Sequence, residues 1–390
     1  MTALLNAPQR AAIRYLDGPL LVLAGAGSGK TRVITQKIAY LIQQAGIDAR
    51  HIVAITFTNK AAREMVERVG KLLDGSASKG LTVSTFHSFG MQILRREAVH
   101  LGYKPQFSIL DSADSAKIIS EYLKTTDKGE VRRVQSTISR WKNDLISADA
   151  ALLAASNEPE RVAATVYRAY QDTLKAYQAM DFDDLIGLPV QLFQNHPEVL
   201  ERWQNKVRYL LIDEYQDTNT CQYLLVKLLA GVRGMLTAVG DDDQSIYAWR
   251  GANMDNLRLL QVDFPRLNVI KLEQNYRSTA RILRAANSVI ANNPKLFEKK
   301  LWSEHGLGDP IQAVACKDEP DEASKVAQRL LAHKFENRTQ FNDYAVLYRG
   351  NHQARLIEEA FREHKSPIKF PAGNHSLIKQ KSKMCWRGCA

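Results

Sequence analysis

Short apolar, β-branched runs alternate along this chain with longer stretches in which apolar positions recur every three or four residues. PLLVLAGAG (residues 19–27) reads as a buried strand entering a glycine-rich turn, and GKTRVITQKIAYLIQQAG continues it at helical spacing. HIVAITFT (51–58), VRYLLIDE (207–214) and GMLTAVGD (234–241) are further strand-like runs that end in polar residues. Strands interleaved with helices predict an α/β fold, a largely parallel sheet covered by helices on both faces.

Between about residues 90 and 180 the pattern changes. MQILRREAVHLG, AKIISEYLKTT, VQSTISRWKNDL and RVAATVYRAYQDTLKAYQAM all carry helical periodicity and many charges, so an all-helical insertion is expected there. After about 275, RILRAANSVIANN and DEASKVAQRLLAHK predict helices and YAVLYR a strand, the start of a second α/β unit. The expected organisation is a first domain from residues 1–90 and 181–275, a helical insertion at 91–180, a partial second domain at 276–365 and a basic, aperiodic tail at 366–390.

Composition narrows the classes only a little. At 390 residues with 45% hydrophobic content the chain is an ordinary multi-domain globular protein. Its net charge of +11 favours a polyanionic partner. No apolar run approaches the ~18 residues of a membrane span, and MTALLNAPQRAAI lacks the order of a signal peptide, so a cytoplasmic protein with no membrane partner is expected. Of the four cysteines only Cys385 and Cys389 lie close together, which is not a disulfide framework; they could form half a zinc site, but no second pair or histidine accompanies them at ligand spacing, and two unpaired thiols are the expectation.

Two segments carry chemistry. AGAGSGKT (24–31) fits the phosphate-binding-loop spacing, with Ala24 where the consensus has glycine. Gly25, Gly27 and Gly29 permit positive φ and close backbone approach, so that N–H groups and a helix N-terminus surround a phosphate. Lys30 would meet the β and γ phosphates of ATP and Thr31 would ligate Mg2+. The alternative is a tight glycine turn. LLIDEYQD (210–217) brings Asp213 and Glu214 to a strand's carboxyl end, the first placed for Mg2+ and the second to deprotonate a water; the alternative is a solvated acidic strand end.

Further motifs follow in a fixed order: LNAPQ (5–9), TFTNKAAREM (56–65), TFHSFG (85–90), DFDDL (181–185), VGDDDQSIYAWRGA (239–252), LEQNYRS (272–278) and YAVLYRGNHQAR (344–355). Together with the two above they resemble the UvrD/Rep/PcrA family of superfamily-one DNA helicases, and its Rep group most. The resemblance implies a RecA-like P-loop NTPase domain with a helical insertion and the start of a second, incomplete RecA-like domain. It also implies a 3′-to-5′ motor that couples ATP hydrolysis to movement on single-stranded DNA beside partial duplex.

Carried onto this sequence, the resemblance implies a nucleotide site of Gln9, Ala24, Gly25, Ala26, Gly27, Ser28, Gly29, Lys30, Thr31, Arg32, Tyr276 and Arg277. Gln9 would read the adenine edge, Tyr276 would stack on the base, and Arg277 would steady charge on the γ-phosphate; the alternative for Arg277 is a structural ion pair. Gln244 would sense the γ-phosphate, and Arg349 would approach from the second domain. Thr56, Phe57, Asn59, Lys60, Thr85, His87, Tyr247, Trp249 and Arg250 would face DNA, with Phe57, Phe86 and Trp249 as stacking faces. For the two TF motifs the alternative is helix caps with buried phenylalanines, and for Trp249 core packing. Asp241 is expected near the metal or Gln244, and Asp242 and Asp243 in loop capping or solvent.

The family continues past the LYRGNHQAR segment with motifs that do not occur here, including one with a second arginine. The expectation is therefore ATP binding, weak DNA binding, reduced hydrolysis and no processive unwinding. A non-cycling ATP- and single-stranded-DNA-binding remnant is the competing reading, and a P-loop kinase or unrelated ATPase the third. Replication or repair proteins and a second copy of the chain stay open as partners.

Overall fold

The protein is described by a computed structural model covering residues 5–73, 77–248 and 251–368. It divides into two compact units, Met1–Asp309 and Pro310–Ala390.

In the first unit, apolar runs become strands of one sheet: β1 (Leu20–Ala24), β2 (Ile52–Thr56), β3 (Thr82–Thr85), then β6 (Tyr209–Ile212), β7 (Leu236–Gly240) and β8 (Asn268–Leu272). Two short strands in the intervening segment, β4 (Ser108–Ile109) and β5 (Ala179–Met180), pair only with each other. The sheet order is β3-β2-β6-β7-β1-β8, and every pair is parallel. All strand carboxyl ends therefore lie on one edge.

β1, β2, β6 and β7 are buried along their whole length, which is why each reads as a continuous apolar run rather than an alternating one. Alternation survives in which face each residue serves. Leu21, Leu23, Val53, Ile55, Leu210 and Ile212 pack with Phe86, Phe89 and Trp203 on one face. Leu20, Val22, Ile52, Ala54, Tyr209 and Leu211 pack with Ile34, Ile38, Met65 and Val69 on the other. The first helix, Ala7–Arg14, is fastened to this second layer by the buried Lys37, whose ammonium donates to the carbonyls of Ala12 (2.8 Å) and Tyr15 (2.7 Å). β3 and β8 have weaker sequence signals because they are the edge strands: TVST is short and polar, and NVIKL keeps Lys271 in solvent.

Four helices, Ser112–Leu123, Lys128–Asn143, Ala148–Ala154 and Glu158–Ala176, form the charged helical region and share a core around Trp141, Tyr167 and Tyr170. Buried Lys142 joins it to the DFDDL segment, with its Nζ 2.7 Å from Asp181 and 2.9 Å from Asp184.

The helix Ala280–Ile290 and the following loop up to Asp309 belong to the first unit by compactness. In the second unit, helices Glu319–Asn337 and Ala354–Glu363 pack through Ala323, Ala327, Ala360 and Phe361. The strand expected at YAVLYR does not form: residues 344–348 have no regular structure. An extended run becomes a strand only when a second backbone pairs with it, and no other described segment does so there. Leu347, which a sheet would cover, is 92% exposed. Among the described residues no helix is long and apolar enough to cross a membrane.

Candidate functional site

The glycine loop between β1 and the helix Lys30–Gln43 sits at the shared carboxyl edge of the sheet. Gly29 caps that helix at φ 91°, a left-handed conformation that side chains rarely adopt. A Cβ there would also stand 2.9 Å from the Gln9 amide nitrogen. The Ser28 hydroxyl and N–H both donate to the Gly25 carbonyl, at 2.7 Å and 3.2 Å, closing a tight turn ahead of the helix N-terminus, the part of the loop suited to an anion.

Lys30 follows at the first turn, and its ammonium lies 3.0 Å from a Glu214 carboxylate oxygen. Glu214 is delivered by β6 and held at φ 49°, a left-handed value uncommon for a residue with a side chain and typical of functional positions. Gln216 donates to the same Glu214 oxygen at 2.9 Å and accepts from the Asp241 N–H at 2.9 Å. Asp241 in turn accepts from the Gln244 amide. The ends of β1, β6 and β7 are thus wired together by side chains.

Asp213 is buried and accepts from the Glu214 N–H at 3.0 Å, yet forms no ion pair among the described residues. Burial, and then the neighbouring Glu214 charge, push its carboxyl up to about 7. Asp217 is raised to about 6 by the same two causes. A desolvated carboxylate that forms no ion pair among the described residues, on the wall of a cleft that Thr31 also lines, fits a divalent metal.

LEQNYRS lies directly on the glycine loop. Asn275 donates to the Ala26 carbonyl at 2.6 Å, and the Tyr276 N–H donates to the Gly27 carbonyl at 2.9 Å. The Asn275 side-chain oxygen also accepts from the Arg277 N–H at 2.8 Å and the Ser278 N–H at 2.7 Å, so one side chain ties the glycine loop to the backbone that carries Arg277. Tyr276 is exposed apart from its hydroxyl bond to Gln274. Arg277 is exposed and makes no ion pair among the described residues.

Several expectations meet a different arrangement. Gln9 is fully buried and its amide is spent on the Ser28 carbonyl (2.9 Å) and the Asn6 N–H (3.1 Å), so it braces the loop rather than offering an open edge to a base. Phe86 is 1% exposed, in an edge-on pair with Phe57, and presents no stacking face. Thr56 is largely buried yet contributes to the wall of the cleft at this edge, and the Thr85 hydroxyl accepts from the Ser88 N–H as a helix cap. Asn59 and Lys60 are exposed in the first turn of the helix Asn59–Gly70. Trp249 and Arg250 lie outside the described residues.

The aspartate triplet departs most. Asp242 and Asp243 serve chiefly as partners of a cation; with Asp241 they enclose the ammonium of Lys299, 2.6 Å from Asp241, 3.0 Å from Asp243 and in contact with Asp242. Three neighbouring carboxylates, two of them buried, require a cation, and the chain supplies its own. That requirement was the available signal; the lysine's identity, more than fifty residues downstream, was not readable from the motifs.

One cleft of about 860 Å³ lies at this edge, and Thr31, Asp213, Glu214 and Gln244 share its walls with Phe57, His87 and Tyr247. Burial lowers the His87 pKa below its ordinary value, which keeps the ring neutral near pH 7.

A parallel sheet with a glycine loop after β1 and an acidic pair after β6 defines a RecA-like α/β domain. The chain belongs to the UvrD/Rep helicase family: residues 5–265 match the UvrD/REP helicase N-terminal domain, and residues 270–380 match the UvrD-like helicase C-terminal domain. The second match runs into the segment that composition set apart from residue 366. Over 372 residues the chain is 54% identical to the ATP-dependent DNA helicase Rep of Salmonella typhimurium and equally to that of Escherichia coli, covering 95% of this chain and 55% of each relative. It is 45% identical over 380 residues to the ATP-dependent DNA helicase PcrA of Staphylococcus aureus, covering 96% of this chain and 52% of the relative. The chain spans about half the length of the curated relatives it matches.

Proposed function

We propose that this chain is the ATP-hydrolysing motor portion of a DNA helicase that moves 3′ to 5′ on single-stranded DNA. The observation that carries the reading is the single cleft in which the phosphate loop and its acidic pair share walls with Phe57, His87 and Tyr247. A nucleotide and a nucleic acid would then compete for, or cooperate through, the same few ångströms of protein.

In this reading the γ-phosphate draws Lys30 away from Glu214, and the freed carboxylate orients a water and takes its proton. The water oxygen bonds to the γ-phosphorus as the bond to the ADP oxygen breaks. Gln244 reports the γ-phosphate to the 240–252 segment, Tyr276 stacks on the base, and Arg277 offsets charge in the transition state. Thr31 and Asp213 would hold Mg2+, which supplies Lewis-acid charge neutralisation on the phosphates. Tyr247, Trp249 and Arg250 grip DNA together with Phe57, Asn59, Lys60 and His87. Arg349 and the second unit would complete the cycle, with replication or repair as its setting.

The test is steady-state ATP hydrolysis by the purified chain at low salt, with and without a single-stranded oligonucleotide. DNA-stimulated turnover supports the motor reading. Binding of both ligands without turnover selects the second reading, a non-cycling ATP- and DNA-binding portion. The Lys30–Glu214 ion pair is the observation in its favour, because it occupies the two groups hydrolysis needs. ATP hydrolysis indifferent to DNA would defeat both.

A further inference from the structure

Following the hydrogen bonds outward from the phosphate loop leads back to it. In one direction Lys30 pairs with Glu214, Glu214 with Gln216, and Gln216 with Asp241. In the other, the loop carbonyls of Ala26 and Gly27 are held by Asn275 and Tyr276, and the Asn275 N–H donates to the Trp302 carbonyl at 2.7 Å. Residues 298–302 run alongside LEQNYRS: the Lys300 N–H donates to the Glu273 carboxylate at 2.8 Å, and the Trp302 N–H donates to the Glu273 carbonyl at 3.0 Å. The ring closes through Lys299, whose side chain is only 3% exposed among Asp241, Asp242 and Asp243. Asp242 strengthens the same junction by accepting from the Phe297 N–H at 3.3 Å.

The geometry points to Lys299 as a positioning residue that locks the Gln244 segment to the strip bearing Tyr276 and Arg277, so that nucleotide contacts on either side move Gln244 and the cleft-lining Tyr247 as one piece. The inference rests on the reading that Gln244 and Arg277 face the nucleotide. Its chemistry is specific to this arrangement. An ammonium has three donors, and each is matched by a different aspartate. Asp241 is shared between Lys299 and the Gln244 amide, so the ammonium fixes the carboxylate that orients Gln244. It ties together three consecutive residues of one segment from a loop that runs alongside LEQNYRS.

The experiment measures coupling directly in the full chain. Affinity for a fluorescein-labelled oligo(dT) is titrated with and without a non-hydrolysable ATP analogue, and affinity for the analogue is titrated alone. Wild type is expected to change its DNA affinity about fivefold or more when the analogue binds, within the usual range for coupled sites. Lys299→Met should bring that factor toward one and lower the melting temperature, because it strands buried carboxylates. The combined Lys299→Met/Asp242→Asn/Asp243→Asn variant leaves one stranded carboxylate, Asp241, in place of three and should recover most of the melting temperature while leaving the coupling factor near one, with each ligand's separate affinity within about twofold of wild type. Recovery of both melting temperature and coupling in the combined variant would reduce Lys299 to a charge balancer and overturn the inference. So would a wild-type chain that binds both ligands without coupling. Failure of the functional reading looks different: wild type would bind neither ligand, or Lys30→Ala would bind the analogue as well as wild type.

Discussion

Lys30 and Glu214 are joined by a 3.0 Å ion pair that bridges the end of β1 to the end of β6. The Lys30 side chain is 11% exposed and that of Glu214 36% exposed, so the pair is screened by solvent and contributes little to folding, roughly 0–1 kcal/mol. Its weight is functional. Lys30→Ala should lower ATP turnover by about a hundredfold or more while shifting the melting temperature by only about 2 °C. Glu214→Gln should keep nucleotide binding and lose turnover to a similar extent. Phosphate release and a thermal melt on the same preparations check both, and normal turnover in Lys30→Ala would refute the assignment of the loop.

Asp213 makes the nucleotide-free site sensitive to pH. Its folded pKa of about 7 lies above the ordinary carboxyl value of 3.8, so between those limits the folded chain holds a proton that the unfolded chain has released. Stability from this group is therefore present at acidic pH and is lost as pH rises through about 7, by at most roughly 4 kcal/mol. Asp217, raised to about 6, acts in the same direction. The difference in melting temperature between Asp213→Asn and wild type should accordingly grow from pH 5 to pH 8, with the variant more stable at the upper end. A constant difference would mean that Asp213 stays ionised throughout.

Much of this was legible in the chain because the central strands are continuous apolar runs that end in their functional residues: Ala24 before the loop, Ile212 before Asp213, Gly240 before Asp241. The periodicity argument works there since burial on both faces leaves the sequence little freedom. It weakens where burial is partial. β8 was hidden because Lys271 interrupts NVIKL, and the YAVLYR run has strand composition without a backbone to pair with. Motif chemistry named residue types but not their directions. Phe57 and Phe86 share a motif context, yet β2 ends just short of the first while the second begins a helix that packs inward. Partners remote in sequence were invisible, above all Lys299 for the three aspartates and Lys142 for Asp181 and Asp184.

The contrast between the two phenylalanines is open to experiment. Phe86 is buried against the sheet, so Phe86→Ala should cost about 3–5 kcal/mol of stability through the cavity it leaves. Phe57 lines the cleft, so Phe57→Ala should instead weaken single-stranded DNA binding by about 1–3 kcal/mol, the usual worth of one base stacked on an aromatic ring. Denaturant melts and oligonucleotide titrations separate the two effects. Equal loss of stability in both variants would place Phe57 in the core and remove it from the DNA surface.

Binding to that surface should also depend on salt. Asn59 and Lys60 stand exposed at a helix N-terminus beside the cleft, and the chain carries a net charge of +11. Phosphates neutralised there release counterions, so the logarithm of the affinity should fall linearly with the logarithm of salt concentration, and Lys60→Ala should lower the slope by about one unit or less. A flat salt response would count against a nucleic-acid groove at this edge.

The junction between the helical region and the sheet makes a separate claim about stability. Lys142 is buried between Asp181 and Asp184, and Tyr170 donates its hydroxyl to Asp181 at 3.0 Å. The Lys142 charge holds Asp181 below its ordinary value, while burial pushes Asp184 up to about 7. Removing the ammonium leaves two desolvated carboxylates facing each other, so Lys142→Met should destabilise the chain by about 3–5 kcal/mol, whereas replacing all three by apolar residues of similar size should cost far less. Because Asn143, the next residue, accepts from Asn219 at 2.6 Å and donates to Asp183 at 2.9 Å on the wall of the cleft, loss of the ion network should also loosen that wall. Hydrogen exchange at residues 181–185 and 219–222 would report it: faster exchange in Lys142→Met at both segments is the expected outcome, and a change confined to the helical region would mean that the two parts are held together elsewhere.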